Sequence, residues 1–253
     1  ETSKVIITVP SEHVRALDDP QALMTWWDRV MDGCADLAAQ PHERTRPERY
    51  VADVQISAGY MHAGYPIMTH LDAAPRFVDL ATLSTKGDWG MFHEMGHNHQ
   101  HRDWTFDGTI EVTCNLFSLY LMEAMCSKGI GHKAMEPTSI EKNTRAYEKG
   151  GRAFGLWKSK PFTALIMYQQ MRTAFGWEAY KKVFAEYRDL ADYERPKNDD
   201  AKRDQWLVRM SKTVGRDLGP FFEAWGVPVS KKARAAVADL PAWMPETGVP
   251  KRE

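Results

Sequence analysis

The residues best able to do chemistry stand together at positions 93–97, which read His-Glu-Met-Gly-His. On a helix, residues four apart project from one face, so His93 and His97 can turn their imidazoles to one point. A zinc ion there would sit about 2.0–2.1 Å from each nitrogen. Glu94 is one position round and poorly placed to be a further ligand. It is well placed to take a proton from a water that the metal activates for attack on a carbonyl carbon. The bland alternative is two histidines that face solvent or are satisfied in the core.

A third ligand separates the classes of site built on this motif. One class uses a His six residues after the second motif His, with Gly at the third. Those positions here hold Asp103 and Gln100, so that class does not fit. The other common solution is a Glu on the next helix. Glu111 opens a strongly apolar stretch over residues 109–128. A core-facing carboxylate there would be costly to bury unpaired, and a metal removes that cost. A first-turn charge favoured by the helix dipole is the competing account. Asn115 follows by one turn on the same face and can hydrogen-bond the outer nitrogen of His93 or His97, fixing its tautomer. His99 and His101 crowd the motif. They are read as surface or supporting groups, because a fourth protein ligand would close the position that water needs.

The elements that must hold these residues follow from periodicity. Residues 4–9 (KVIITV) and 50–57 (YVADVQIS) read as strands. Residues 19–40 read as a helix capped by Asp18 or Asp19, with Pro20 in its first turn. Residues 59–70, rich in Gly and aromatics, read as a loop with a short strand at its end. Asp88 is a plausible cap for a helix that starts at Trp89 and carries the motif. After the apolar helix over 109–128, residues 130–160 should be largely loop, with a helix near 140–149. Residues 161–175, 178–193 and 199–214 read as three helices, with short ones at 219–225 and 228–238. The expected architecture is α+β and mainly helical. It is a single catalytic domain over 1–253, with a small amino-terminal sheet in a sublobe over 1–100 and a helical sublobe over 101–253.

The bulk numbers narrow the partners. The 253 residues are enough for one large domain. A formal net charge of −1 gives no reason to expect nucleic acid or an anionic membrane surface. No apolar run approaches a membrane span. Cys34, Cys114 and Cys126 are an odd number and read as buried thiols. The chain opens on Glu1 rather than Met, so an amino terminus made by processing or design is expected.

The run from Gly87 to Gln100 (GDWGMFHEMGHNHQ), followed by residues 108–115 (GTIEVTCN), resembles the enhancin-like, mucin-degrading metallopeptidases, the sixtieth metallopeptidase family. Residues 8–11, 61–67, 175–178 and 221–226 carry weaker matches, so the resemblance spans nearly the whole chain. It implies a gluzincin catalytic domain: one zinc ion on His93, His97 and Glu111, with Glu94 as the base. It also implies a secreted or cell-surface endopeptidase that cuts O-glycosylated proteins and reads the glycan beside the scissile bond.

Candidates for contact with such a substrate are Tyr60, His62, Tyr65 and Trp89 near the motif, and Arg145 and Arg152 in the polar segment after the apolar helix. Each has a plain alternative in core packing or solvated surface. The donor to the developing oxyanion stays open among Tyr60, Tyr65, His62 and Tyr168. A zinc aminopeptidase is the nearest alternative. It needs an upstream acidic group for the substrate's free amine, and residues 61–68 contain no Glu. A catalytically silent scaffold that binds a glycan or a protein is the other.

Overall fold

The computed structural model describes residues 1–129 and 131–248. These fall into two compact units. The first comprises Glu1–His99 and Cys114–His132; the second comprises Gln100–Thr113 and the chain from Lys133 onward.

The first unit is built on a four-stranded mixed sheet in the order β1-β2-β4-β3. Strands β1 (Val5–Thr8) and β2 (Glu48–Asp53) pair in parallel with Val5 opposite Glu48. β2 pairs in parallel with β4 (Ile67–His70), and the two-residue β3 (Met61–His62) closes the edge antiparallel to β4. A strand of two residues leaves no alternation to read, which is why the sequence predicts only loop at β3. Helix α1 (Pro20–Leu37) starts where Asp19 accepts the Ala22 N–H at 2.8 Å and Pro20 fills the first turn. Its buried stripe of Leu23, Trp26, Trp27, Val30 and Met31 provides the core.

Trp27, Tyr50 and Phe77 pack with ring centroids 5.0–6.2 Å apart. Trp27 Nε1 donates to the Phe77 carbonyl at 3.1 Å, which satisfies a buried donor. Two helices of five and seven residues follow the sheet, α2 (Ala74–Val78) and α3 (Leu80–Lys86), both too short for a 3.6-residue period to show. Helix α4 (Trp89–His99) carries the motif, and α5 (Ile110–Met125) carries Glu111 and Asn115.

The second unit is helical: α6 (Pro137–Lys149), α7 (Phe154–Lys158), α8 (Pro161–Arg188), α9 (Asp199–Val214), α10 (Gly219–Ala224) and α11 (Lys231–Ala235). The helix expected near 140–149 begins three residues earlier, at Pro137. α8 breaks at Gly176, whose φ of 72° suits glycine, so the two expected helices are separate rods in one continuous element. Its second rod ends at Arg188, short of 193. α9 has the expected bounds, capped by Asn198 at one end and by left-handed Gly215 at the other. Trp104 stacks on Phe184 at 4.1 Å, and Tyr180, Tyr187 and Trp206 complete this core. Among the described residues no helix is long and apolar enough to cross a membrane.

Candidate metal centre

Helix α4 is fixed at both ends of the motif. At its start, Asp88 accepts the Met91 N–H at 3.0 Å as a cap. The same buried carboxylate is held by Arg76, whose Nε donates at 2.7 Å. One turn on, the Tyr50 hydroxyl donates to the Met91 carbonyl at 2.7 Å, tying α4 to the sheet. Within the motif, Gly96 lies against α5 so closely that a Cβ would stand 2.2 Å from the Cys114 carbonyl oxygen. Glycine is required there because backbone meets backbone. That contact brings the faces of the two helices together.

His93, His97, Glu111 and Cys114 each offer a ligand atom, and these atoms all lie within 4.8 Å of one another. The Nε2 atoms of His93 and His97 are 3.1 Å apart. Two nitrogens bound to a tetrahedral zinc stand roughly 3.3 Å apart when each bond is about 2.0–2.1 Å. His93 Nδ1 stands 2.7 Å from Asn115 Oδ1, which can only accept, so Nδ1 carries the hydrogen and Nε2 presents a bare lone pair. Two ring nitrogens that close need a proton or a cation between them. The donor set of two imidazoles and a carboxylate is one that zinc takes. The site therefore fits a zinc ion on three protein ligands.

Glu94 is 8 % exposed. Among the described residues its carboxylate accepts no hydrogen bond and pairs with no cation. Asn115, 2 % exposed, follows Glu111 by one turn, so α5 sets the spacing between the ligand and the group that orients His93.

Two neighbours went unseen in the sequence. Cys114 Sγ is 3.6 Å from His93 Nδ1 and 4.0 Å from Nε2. The sulfur is in contact distance of the imidazole and belongs to the same cluster of candidate ligand atoms. Its place one residue before Asn115 was the only signal. His132 packs on Trp89 with ring centroids 5.4 Å apart. Burial, and then the charge of His93, lower its pKa and favour a neutral ring. No spacing pattern connects position 132 to the motif.

Tyr60 is 45 % exposed, and its hydroxyl accepts from Arg76 at 3.5 Å. His62 has both ring nitrogens engaged, with Ser57 Oγ at 2.9 Å and the Ala63 carbonyl at 2.8 Å. Tyr65 is exposed and carries the Arg46 guanidinium 3.7 Å over its ring. Trp89 is half-buried at the first position of α4. Arg145 is exposed on α6 and pairs with Glu141 one turn away. Arg152 is 8 % exposed, with its guanidinium donating to the Ala224 carbonyl. Tyr168 is buried in the second unit, where burial pushes its phenol far up. His99 is buried and bonded to the Met95 carbonyl at 2.8 Å.

An HExxH helix, a following helix that brings a carboxylate, and a small mixed sheet define a zincin-like metallopeptidase fold. The chain belongs to the family Peptidase M60, enhancin and enhancin-like, whose model matches residues 1–226. It is 43 % identical to TRPM8 channel-associated factor 2 of Bos taurus over 245 residues, which is 96 % of this chain and 26 % of that protein. The chain thus spans about a quarter of the length of the curated relatives it matches. A structure from Bacillus anthracis str. Ames, described as a functionally unknown conserved protein, aligns with a TM-score of 0.80 at 26 % identity, covering 99 % of this chain and 54 % of that one. IMPa from Pseudomonas aeruginosa in complex with an O-glycopeptide aligns with a TM-score of 0.71 at 16 % identity, covering 96 % of this chain and 35 % of that one, and shares the fold.

Proposed function

We propose that this chain is the catalytic domain of a zinc-dependent endopeptidase acting on O-glycosylated proteins. His93, His97 and Glu111 hold the ion, Glu94 is the general base, and Asn115 holds His93 in the tautomer that presents Nε2. The observation that carries the reading is the convergence of two imidazoles and Glu111, whose ligand atoms lie within 4.8 Å of one another.

When bound, zinc supplies a Lewis acid that acidifies water and polarises the scissile carbonyl. Glu94 then takes the proton of the attacking water as the new C–O bond forms. It returns that proton to the amine nitrogen as the C–N bond breaks. Asn115 Oδ1 keeps Nδ1 of His93 protonated, so the ring cannot turn its other nitrogen to the ion. The glycoprotein part of the proposal draws on family resemblance and on the O-glycopeptide bound by the Pseudomonas aeruginosa relative. Such substrates place the enzyme outside the cell or at its surface.

A second reading is favoured by the 43 % identity to a channel-associated factor: a domain that keeps the fold and binds a protein or glycan partner without turnover. The two separate on cleavage of a mucin-type substrate beside the same protein stripped of glycan, each with and without a chelator. Chelator-sensitive cutting of only the glycosylated form supports the full proposal. Equal cutting of both forms removes the glycan from it. Tight binding with no cutting in the presence of zinc supports the scaffold.

A further inference from the structure

The Asn98 side chain follows the second motif histidine and clamps a loop. Its Nδ2 donates to the Gly64 carbonyl at 2.9 Å, and its Oδ1 accepts the Gly64 N–H at 3.1 Å. That pair of hydrogen bonds fixes Tyr65 beside the carboxyl end of α4. The loop and the segment from Gln40 to Glu48 border an open cleft of about 490 Å³, which Asn98 and Tyr65 line. Adjacent Cα atoms are about 3.8 Å apart, so a group seated against Asn98 is a near neighbour of the His97 backbone.

The charges in this cleft are unevenly satisfied. Glu48 is buried, accepts the Arg49 N–H at 3.2 Å and faces Arg44 at 3.6 Å. Arg44 also reaches His99 Nε2 at 3.3 Å, so this pair serves the wall. Arg46 is different. Among the described residues no carboxylate lies within ion-pair distance of it. Its guanidinium carbon instead lies 3.7 Å over the centroid of the Tyr65 ring. A guanidinium held over a ring face keeps N–H groups free for a planar, bidentate acceptor. Glu43, also in the lining, is exposed and has no cation partner among the described residues.

The geometry points to this cleft as a binding subsite for a carboxylate group, with Arg46 as the ion-pairing residue and Tyr65 as the platform that holds it. The carboxylate can come from an acidic side chain of a peptide or from an acidic sugar. As a substrate subsite it rests on the peptidase reading; as a binding site it stands on the cleft and can be measured without turnover. Glu43 gives the sign of the interaction. A negative ligand is repelled by Glu43, whereas a neutral sugar gains a hydrogen-bond acceptor from it.

The experiment is a titration of the metal-free protein followed by the amide shifts of Arg46, Gly64 and Asn98. The probes are N-acetylglutamic acid amide, the methyl glycoside of N-acetylneuraminic acid and, as a neutral control, methyl galactoside. Saturable shifts with either acid, weakened about tenfold or more in Arg46→Ala and strengthened in Glu43→Gln, are expected; whichever acid binds tighter identifies the source. Arg46 is exposed, so its variant should fold, and unchanged shifts elsewhere will check this. Shifts as large with the neutral sugar, weaker binding of the acids in Glu43→Gln, or no saturable shift with either acid would overturn the assignment. None of those results depends on zinc or on cleavage, so the peptidase reading would survive them.

Discussion

The bond between His93 and Asn115 offers a sharp perturbation. Asn115→Ala removes the acceptor 2.7 Å from His93 Nδ1 and leaves that donor in a region where Asn115 itself is only 2 % exposed. The imidazole then loses the restraint on its tautomer and on its ring orientation. Removal of such an outer partner of a metal-binding histidine costs about 10–100-fold in metal affinity. That is about 1.4–2.8 kcal/mol of binding free energy. Asn115→Asp keeps an acceptor oxygen at the same place and adds a negative charge, so it should hold zinc at least as tightly as the parent chain. The assay is competition for zinc against a chromogenic chelator at fixed pH, with circular dichroism to confirm folding. A folded Asn115→Ala variant whose zinc affinity stays within threefold of the parent would refute the argument, because the bond would then not be what orients His93.

Other outcomes follow from the same geometry. Gly96→Ala puts a methyl group 2.2 Å from the Cys114 carbonyl oxygen, so α4 and α5 must part; a loss of about 1–3 kcal/mol or more should appear in thermal melting, together with weaker zinc binding. Tyr147→Phe removes the hydroxyl whose single proton is shared between the Trp225 carbonyl at 2.6 Å and the Arg152 carbonyl at 3.0 Å; denaturant titration should show about 1–3 kcal/mol lost for the acceptor left unpaired. Burial, opposed by Arg152, pushes the Tyr147 phenol up to about 12 from its ordinary 10.0. Its folded pKa lies above its unfolded one, so this contribution to stability is intact below pH 10 and is lost as pH rises toward 12. Tyr168, Tyr180 and Tyr187 are raised by burial in the same way. Phenolate absorbance from these residues should therefore appear together with loss of helix in an alkaline titration, and a signal that precedes unfolding would contradict their burial.

Much of the site was legible because helical spacing is a strict ruler. Positions 93 and 97 share a face wherever a helix forms, and so do 111 and 115, so the four residues could be paired before their distances were known. The burial cost expected for Glu111 does not arise, because Glu111 is exposed in the first turn of α5; its place among the candidate ligands rests on its distance to the two imidazoles. What escaped the sequence lies in contacts between elements that no period links. Gly96 is one motif letter until Cys114 is seen against it, and the place of His132 on Trp89 depends on the turn after α5. The short β3, α2 and α3 offer too few residues for any alternation or helical repeat to register. Arg152, expected as a group for substrate contact, is buried and donates to the Ala224 carbonyl, a contact between distant segments that no local pattern records.

The most direct test of the central claim is to measure zinc content and turnover together in Glu94→Gln. The substitution keeps the size of the side chain and removes its basicity. The account predicts one zinc ion per chain, as in the parent, and cleavage of an O-glycosylated substrate reduced by at least about 100-fold. Wild-type turnover in a zinc-loaded Glu94→Gln protein would contradict it.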